Sequence, residues 1–102
     1  DIGAGFGDSV MAAASGTVII VSTPCPGCNY GGSGYGNYVV IDHGDGLSTL
    51  YGHMTDVYVS NGSYVNAGDS IGTVGSTGTS TGAHLHFEVR VNGTTVSPRD
   101  YL

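Results

Sequence analysis

His84 and His86, separated only by Leu85, are the residues of this chain whose types and spacing best suit chemistry. They open the run HLHFEVRV, residues 84–91, in which polar and apolar side chains take turns. On a β-strand alternate residues share a face and lie about 6.6 Å apart at ~3.3 Å per residue. The pattern therefore predicts His84, His86, Glu88 and Arg90 on one face, with Leu85, Phe87, Val89 and Val91 as a core stripe on the other. Two imidazoles on one rigid face suit metal chemistry, because the strand sets the ligand geometry before an ion arrives. His53, ending LSTLYGHM, and Asp1 are further candidates. Zinc accepts imidazole nitrogen and carboxylate oxygen, and a catalytic site uses three protein ligands with water in the fourth place. Spacing alone does not divide the histidines between metal binding and proton transfer. Glu88 stands on the histidine face, either to orient a metal ligand or as a surface charge.

The elements that must position these groups are strands. Valine, isoleucine, threonine and tyrosine recur between glycine-bearing turns, and no helical periodicity interrupts them. With 102 residues, 39% of them hydrophobic and 19 of them glycine, the chain has room for one domain and one modest core. The expectation is an all-β fold, a compact single domain of about eight to ten short, mostly antiparallel strands. Strands are expected at residues 9–14, at 17–21 as a buried strand, and at 37–43, 47–54, 64–65, 70–74, 84–91 and 94–96, with a weak one at 57–59. Alternation along 47–54 sets Thr49, Tyr51 and His53 on one face and Leu50 on the other. Tyr51 then either borders a cleft or packs. His43, beside a hairpin turn, is expected to be a hydrogen-bonded structural residue.

Composition excludes several functions. The formal net charge is -6, and Arg90 and Arg99 are the only cations besides histidine. Such a chain lacks the footprint of a nucleic-acid or anionic-membrane binder. No apolar run approaches the ~20 residues that span a bilayer. The stretch VSNGSYVNAGDSIGTVG is similar to biotinyl and lipoyl carrier domains, but those attach their cofactor to a lysine and this chain has none. Cys25-Pro26-Gly27-Cys28 lacks both the βαβ setting of a redox pair and the second pair of a structural zinc site. A short disulfide clamping its loop is expected, and with it an oxidising setting.

Four stretches carry a resemblance, in order and across nearly the whole chain: DIGAGFGDSVMAAASGTV, GNYVVIDHGDGLSTLYGH, VNAGDSIGTVGSTGTSTGAHLHFEV and VSPRDYL. Together they resemble the lysostaphin-type peptidoglycan endopeptidases, a zinc metallopeptidase family, and HLHFE is the most specific part. The resemblance implies that His86 is a zinc ligand and that His84 and His53 are catalytic. It maps the aspartate of the family's HxxxD ligand motif onto Asp1. Nothing here stands where that motif's histidine would, so residues 1–102 are expected to be the peptidase domain lacking a short N-terminal piece. Otherwise the site has fewer protein ligands, or the deprotonated α-amine of Asp1 chelates together with its carboxylate.

The resemblance further implies Zn2+ as cofactor and peptidoglycan peptides, crossbridge or stem, as substrate. The fold it implies is an all-β domain whose catalytic groove is floored by a sheet, working as a monomer. Its place would be extracellular, at the cell surface or in the periplasm, or in a phage lysin or virion. The rival expectation is a catalytically incomplete relative that binds cell-wall peptide or activates another hydrolase. Retention of Asp1, His53, His84 and His86 favours the enzyme.

Overall fold

The computed structural model describes residues 2–3, 7–23, 30–31, 35–77 and 84–96, with backbone alone at 2–3, 30–31, 76–77 and 84–85. β-Branched and aromatic residues fit the pleated, half-buried surface of a sheet, and they fill the strands here. The strands are β1 (Ile2–Gly3), β2 (Ser9–Met11), β3 (Gly16–Ser22), β4 (Tyr30–Gly31), β5 (Asn37–Gly44), β6 (Leu47–Val57), β7 (Tyr64–Val65), β8 (Ser70–Val74), β9 (Ser76–Thr77), β10 (His84–Val91) and β11 (Thr94–Val96). Nine of them form one sheet in the order β1-β10-β6-β5-β3-β7, with β11 beside β10 and with β8 joining β2 to β6. Every pairing in that sheet is antiparallel. β4 and β9 form a separate parallel pair. The described residues contain no helix, as the all-β expectation requires.

Residues opposite one another in an antiparallel ladder share a face. Val39, Tyr51 and Phe87 stand opposite in turn across β5, β6 and β10, and so do Ile41, Thr49 and Val89. That face is the core, which Val10, Ala12, Val18, Met54, Val65, Ile71 and Val74 complete. Burying one such side chain fully contributes roughly 1.5–3 kcal/mol relative to leaving it exposed. His43 is structural, as expected. Its Nδ1 donates to the Ser15 carbonyl (2.8 Å) and its Nε2 meets Thr49 Oγ1 (2.7 Å). From Thr49 the chain of hydrogen bonds runs on to the Tyr51 hydroxyl (2.9 Å), which accepts from Ala13 N–H (2.9 Å). It ties the loop after β2 to the centre of the sheet.

Three strand expectations change. Residues 17–21 are not a buried strand: Val18 is fully buried, but Ile19 and Ile20 are 48% and 39% exposed. β7 pairs with Gly16 and Thr17, and Val18 bonds the backbone of Gly62 and Ser63 just before it, so among the described residues β3 from Ile19 onward has β5 as its only strand partner, with its register shifting between Val18 and Ile20. Residues 57–59 are not a separate strand. β6 runs on to Val57 because, past a bulge, it exchanges its partner for β8, with Met54 opposite Val74 and Val57 opposite Gly72. β2 stops at Met11 rather than at residue 14, where the chain turns toward β3.

Candidate active site

β6 and β10 lie side by side at the centre of the sheet, and His86 stands opposite Gly52. A Cβ at Gly52 would meet the His86 Cβ at 3.4 Å and the Tyr35 Cβ at 3.5 Å, so Gly52 lies directly beneath the first carbons of both side chains. The next residue makes the site. Across β5, Val39 opposes Tyr51 and Asn37 opposes Met54, so Gly52 and His53 together face the single residue Tyr38. This is a β-bulge, the device that re-aims a side chain by inserting one extra residue into a strand. His53 adopts a left-handed backbone, with φ 59°. A regular strand would carry it on the Tyr51 face, into the core. The bulge turns it over beside His86, with ring centroids 5.7 Å apart and planes at 68°.

Hydrogen bonds hold the bulge on both sides. His53 N–H donates to the Tyr35 carbonyl (2.7 Å), and Gly75 N–H donates to the His53 carbonyl (3.0 Å). The side-chain amide of fully buried Asn37 donates to the carbonyls of Met54 (3.0 Å) and Thr55 (3.1 Å), the residues that follow. His53 itself is only 5% exposed.

His86 is held from two directions. The Tyr35 ring stacks on it at 5.2 Å and 27°. Its Nε2 lies 2.7 Å from Glu88 Oε1, which also accepts from the Tyr35 hydroxyl at 2.7 Å. Arg90 donates to Glu88 Oε2 through Nε (3.0 Å) and Nη2 (2.9 Å), and Nη2 also reaches the Tyr35 hydroxyl (3.3 Å). Burial by itself pushes the Glu88 carboxyl up, but the hydrogen bonds from His86, Tyr35 and Arg90 outweigh it and hold the group below its ordinary value. The bond to Glu88, followed by burial, raises the Tyr35 phenol. Burial opposes the charge on Arg90, and its pairing with Glu88 more than restores it.

Of the residues singled out in the sequence, His53 and His86 come together, with Glu88 and Arg90 on the expected face of β10. His84 opens β10 opposite Gly3, and its side chain lies outside the described residues. Asp1 also lies outside them; the residue after it, Ile2, pairs with Leu85. Cys25, Cys28 and the segment 97–102 are outside them as well. Tyr51 does not border a cleft. It packs against Phe87 at 5.3 Å in the core, because the bulge separates it from His53.

Sequence reasoning missed Tyr35, Asn37 and Gly52. The glycine directly before His53 was the one available signal of a bulge. Nothing in the turn-rich stretch marked Tyr35 out. The donor chemistry fits zinc, since a metal-ligating histidine commonly gives its other ring N–H to a carboxylate and His86 faces Glu88 in that manner.

Comparison with known proteins bears on this arrangement. The sequence profile of Peptidase family M23 matches residues 1–98. Over 65 residues the chain is 52% identical to the DD-carboxypeptidase/endopeptidase Mpg of Neisseria meningitidis, which covers 64% of this chain and 15% of that protein. It is 38% identical over all 102 residues to the murein hydrolase activator NlpD of Escherichia coli, covering 25% of that protein. The chain thus spans a quarter or less of the length of these relatives. The catalytic domain of the antimicrobial peptidase lysostaphin from Staphylococcus simulans has the same fold, with a TM-score of 0.80 and 35% identity over 96% of this chain and 72% of that one.

Proposed function

Because the chain belongs to peptidase family M23, we propose that it is a zinc-dependent endopeptidase that hydrolyses peptide bonds of bacterial peptidoglycan, in the crossbridge or the stem peptide. The observation that carries this reading is the pair of imidazoles, His53 and His86, brought to 5.7 Å by a bulge in an otherwise regular strand. A buried left-handed histidine is costly for packing alone, and such backbone cost concentrates at functional sites.

In this reading Asp1 and His86 hold the zinc, while His53 and His84 handle protons. When bound, the ion supplies Lewis acidity, polarising a carbonyl and bringing water within reach of ionisation near neutral pH. His53 accepts the proton of the attacking water at a ring nitrogen. The C–N bond breaks, the carbonyl carbon keeps the hydroxyl, and the departing amine takes a proton from His53 or His84. His53 needs little reorganisation for this, because its N–H and C=O are both anchored and its ring is almost out of water. The substrate sets the location, outside the cytoplasm in the cell envelope or beyond it. Nucleic acid is not a partner in this reading, given a net charge of -6.

A second reading follows from the match along the whole chain to an activator of murein hydrolases. There the same domain binds cell-wall peptide or another hydrolase without cutting. Two measurements separate them: zinc content by elemental analysis after dialysis against a weak chelator, and release of new amino groups from purified peptidoglycan. The full-length enzyme retains about one zinc per chain, and its amine release stops with a strong chelator and returns with zinc. No amine release alone, together with stimulation of a separate hydrolase, would establish the activator and overturn the enzyme.

A further inference from the structure

We propose that Glu88, held in place by Arg90 and Tyr35, is a positioning residue that fixes the Nε2–H tautomer of His86 and so makes Nδ1 its metal-ligating nitrogen. The inference rests on the zinc reading above and adds to it the group that orients the ligand. An ionised carboxylate accepts hydrogen bonds and donates none, with room for about four donors on its two oxygens. Glu88 meets four: the Tyr35 hydroxyl and His86 Nε2 at Oε1, and Arg90 Nε and Nη2 at Oε2. The Tyr35 hydroxyl accepts from Arg90 Nη2, which directs its single proton onto Glu88. No proton is left for Glu88 to offer, so His86 Nε2 must carry one. The stacked Tyr35 ring sets the plane of the imidazole and the carboxylate sets its rotation about that plane. Side-chain exposures of 12% for Glu88 and 25% for His86 keep water from competing freely for these bonds.

The substitution Glu88→Gln tests this at constant shape. Arg90 requires an acceptor, so the amide oxygen turns to Arg90 and the amide N–H groups turn toward His86. Nε2 must then accept, and the proton moves to Nδ1. Long-range 1H–15N correlation spectra of the metal-free protein at about pH 8.5, above the ordinary imidazole range, read the tautomer directly. The expected result is an Nε2–H ring at position 86 in the wild type and an Nδ1–H ring in E88Q. Competition with a chromophoric chelator reads the zinc affinity, which should fall by about 10–100-fold in E88Q. Tyr35→Phe keeps the stacked ring and leaves Glu88 an acceptor only, so it should retain the Nε2–H ring at position 86 and lose less zinc affinity than E88Q; an Nδ1–H ring in Y35F would overturn the inference. An unchanged tautomer in E88Q, or equal zinc retention by wild type and E88Q, would overturn the inference while leaving the zinc reading standing. A full-length wild type that retains no zinc would overturn both.

Discussion

Replacing His53 by alanine and, separately, by glycine divides the chemistry of its ring from the strain of its backbone. Both variants lose the imidazole and its contacts with His86, so those losses cancel when the two are compared. What differs is the cost of φ 59° at that position. A left-handed conformation costs a residue with a Cβ roughly 1–2 kcal/mol, and glycine none. Glycine gives back part of this, roughly 0.5–1 kcal/mol, through the greater freedom of its unfolded chain. The balance leaves H53G more stable than H53A by about 1 kcal/mol, which in a domain of this size is about 4–8 °C in Tm. Thermal unfolding followed by circular dichroism measures the difference, and neither variant should release amines from peptidoglycan. An H53A protein as stable as H53G, or more so, would refute the argument that a strained bulge is what turns residue 53 away from the core.

The remaining expectations are simpler. His86→Ala should lose retained zinc; stoichiometric zinc after dialysis would remove His86 from the ligand set. His84→Ala should keep zinc and lose most turnover, and an unchanged rate of amine release would show that His84 is not catalytic. Tyr51→Phe removes the hydroxyl shared by Ala13 N–H and Thr49, a loss of about 1–3 kcal/mol measurable by urea unfolding. Burial foremost raises the Tyr51 phenol above its ordinary value, against the hydrogen bonds with Ala13 and Thr49. The folded state therefore favours the protonated phenol. That stability is complete below the unfolded value of ~10 and is lost as pH rises through the higher folded value. Y51F should flatten this alkaline decline, and an equally steep decline would show that Tyr51 does not cause it. Gly16→Ala would drive a Cβ into the Asp42 carbonyl and to within 2.9 Å of Ile41 Cγ2, both on β5. Overpacking of this kind costs about 1–3 kcal/mol, and an unchanged Tm would mean that β3 and β5 can part there without loss.

Much of the fold was legible from local pattern. Alternation along 84–91 placed Phe87 and Val89 in the core and His86, Glu88 and Arg90 on the other face, because the side-chain period of a strand is two and needs no tertiary information. His43 was legible as structural from its seat beside a turn. The failures have a common cause. The apolar run at 17–21 read as buried, but burial depends on having a neighbouring strand on each side, and β7 is only two residues long. The extension of β6 past residue 54 depended on β8 arriving as a new partner, which nothing within β6 encodes.

Taken alone, the sequence determined the class of fold, the histidine face of β10 and the kind of chemistry available, since strand period and side-chain chemistry are local properties. It also carried the family resemblance, because HLHFE and its neighbouring stretches are strings of residues. The tertiary structure decided which groups meet. Alternation in β6 assigns His53 to the face of Tyr51, and only the register against β5, with two residues opposite one, puts it beside His86. The same holds for Tyr35, which reaches Glu88 across 53 positions of sequence. Register and long-range contact come from how whole strands pair, and no window of neighbouring residues contains that energy.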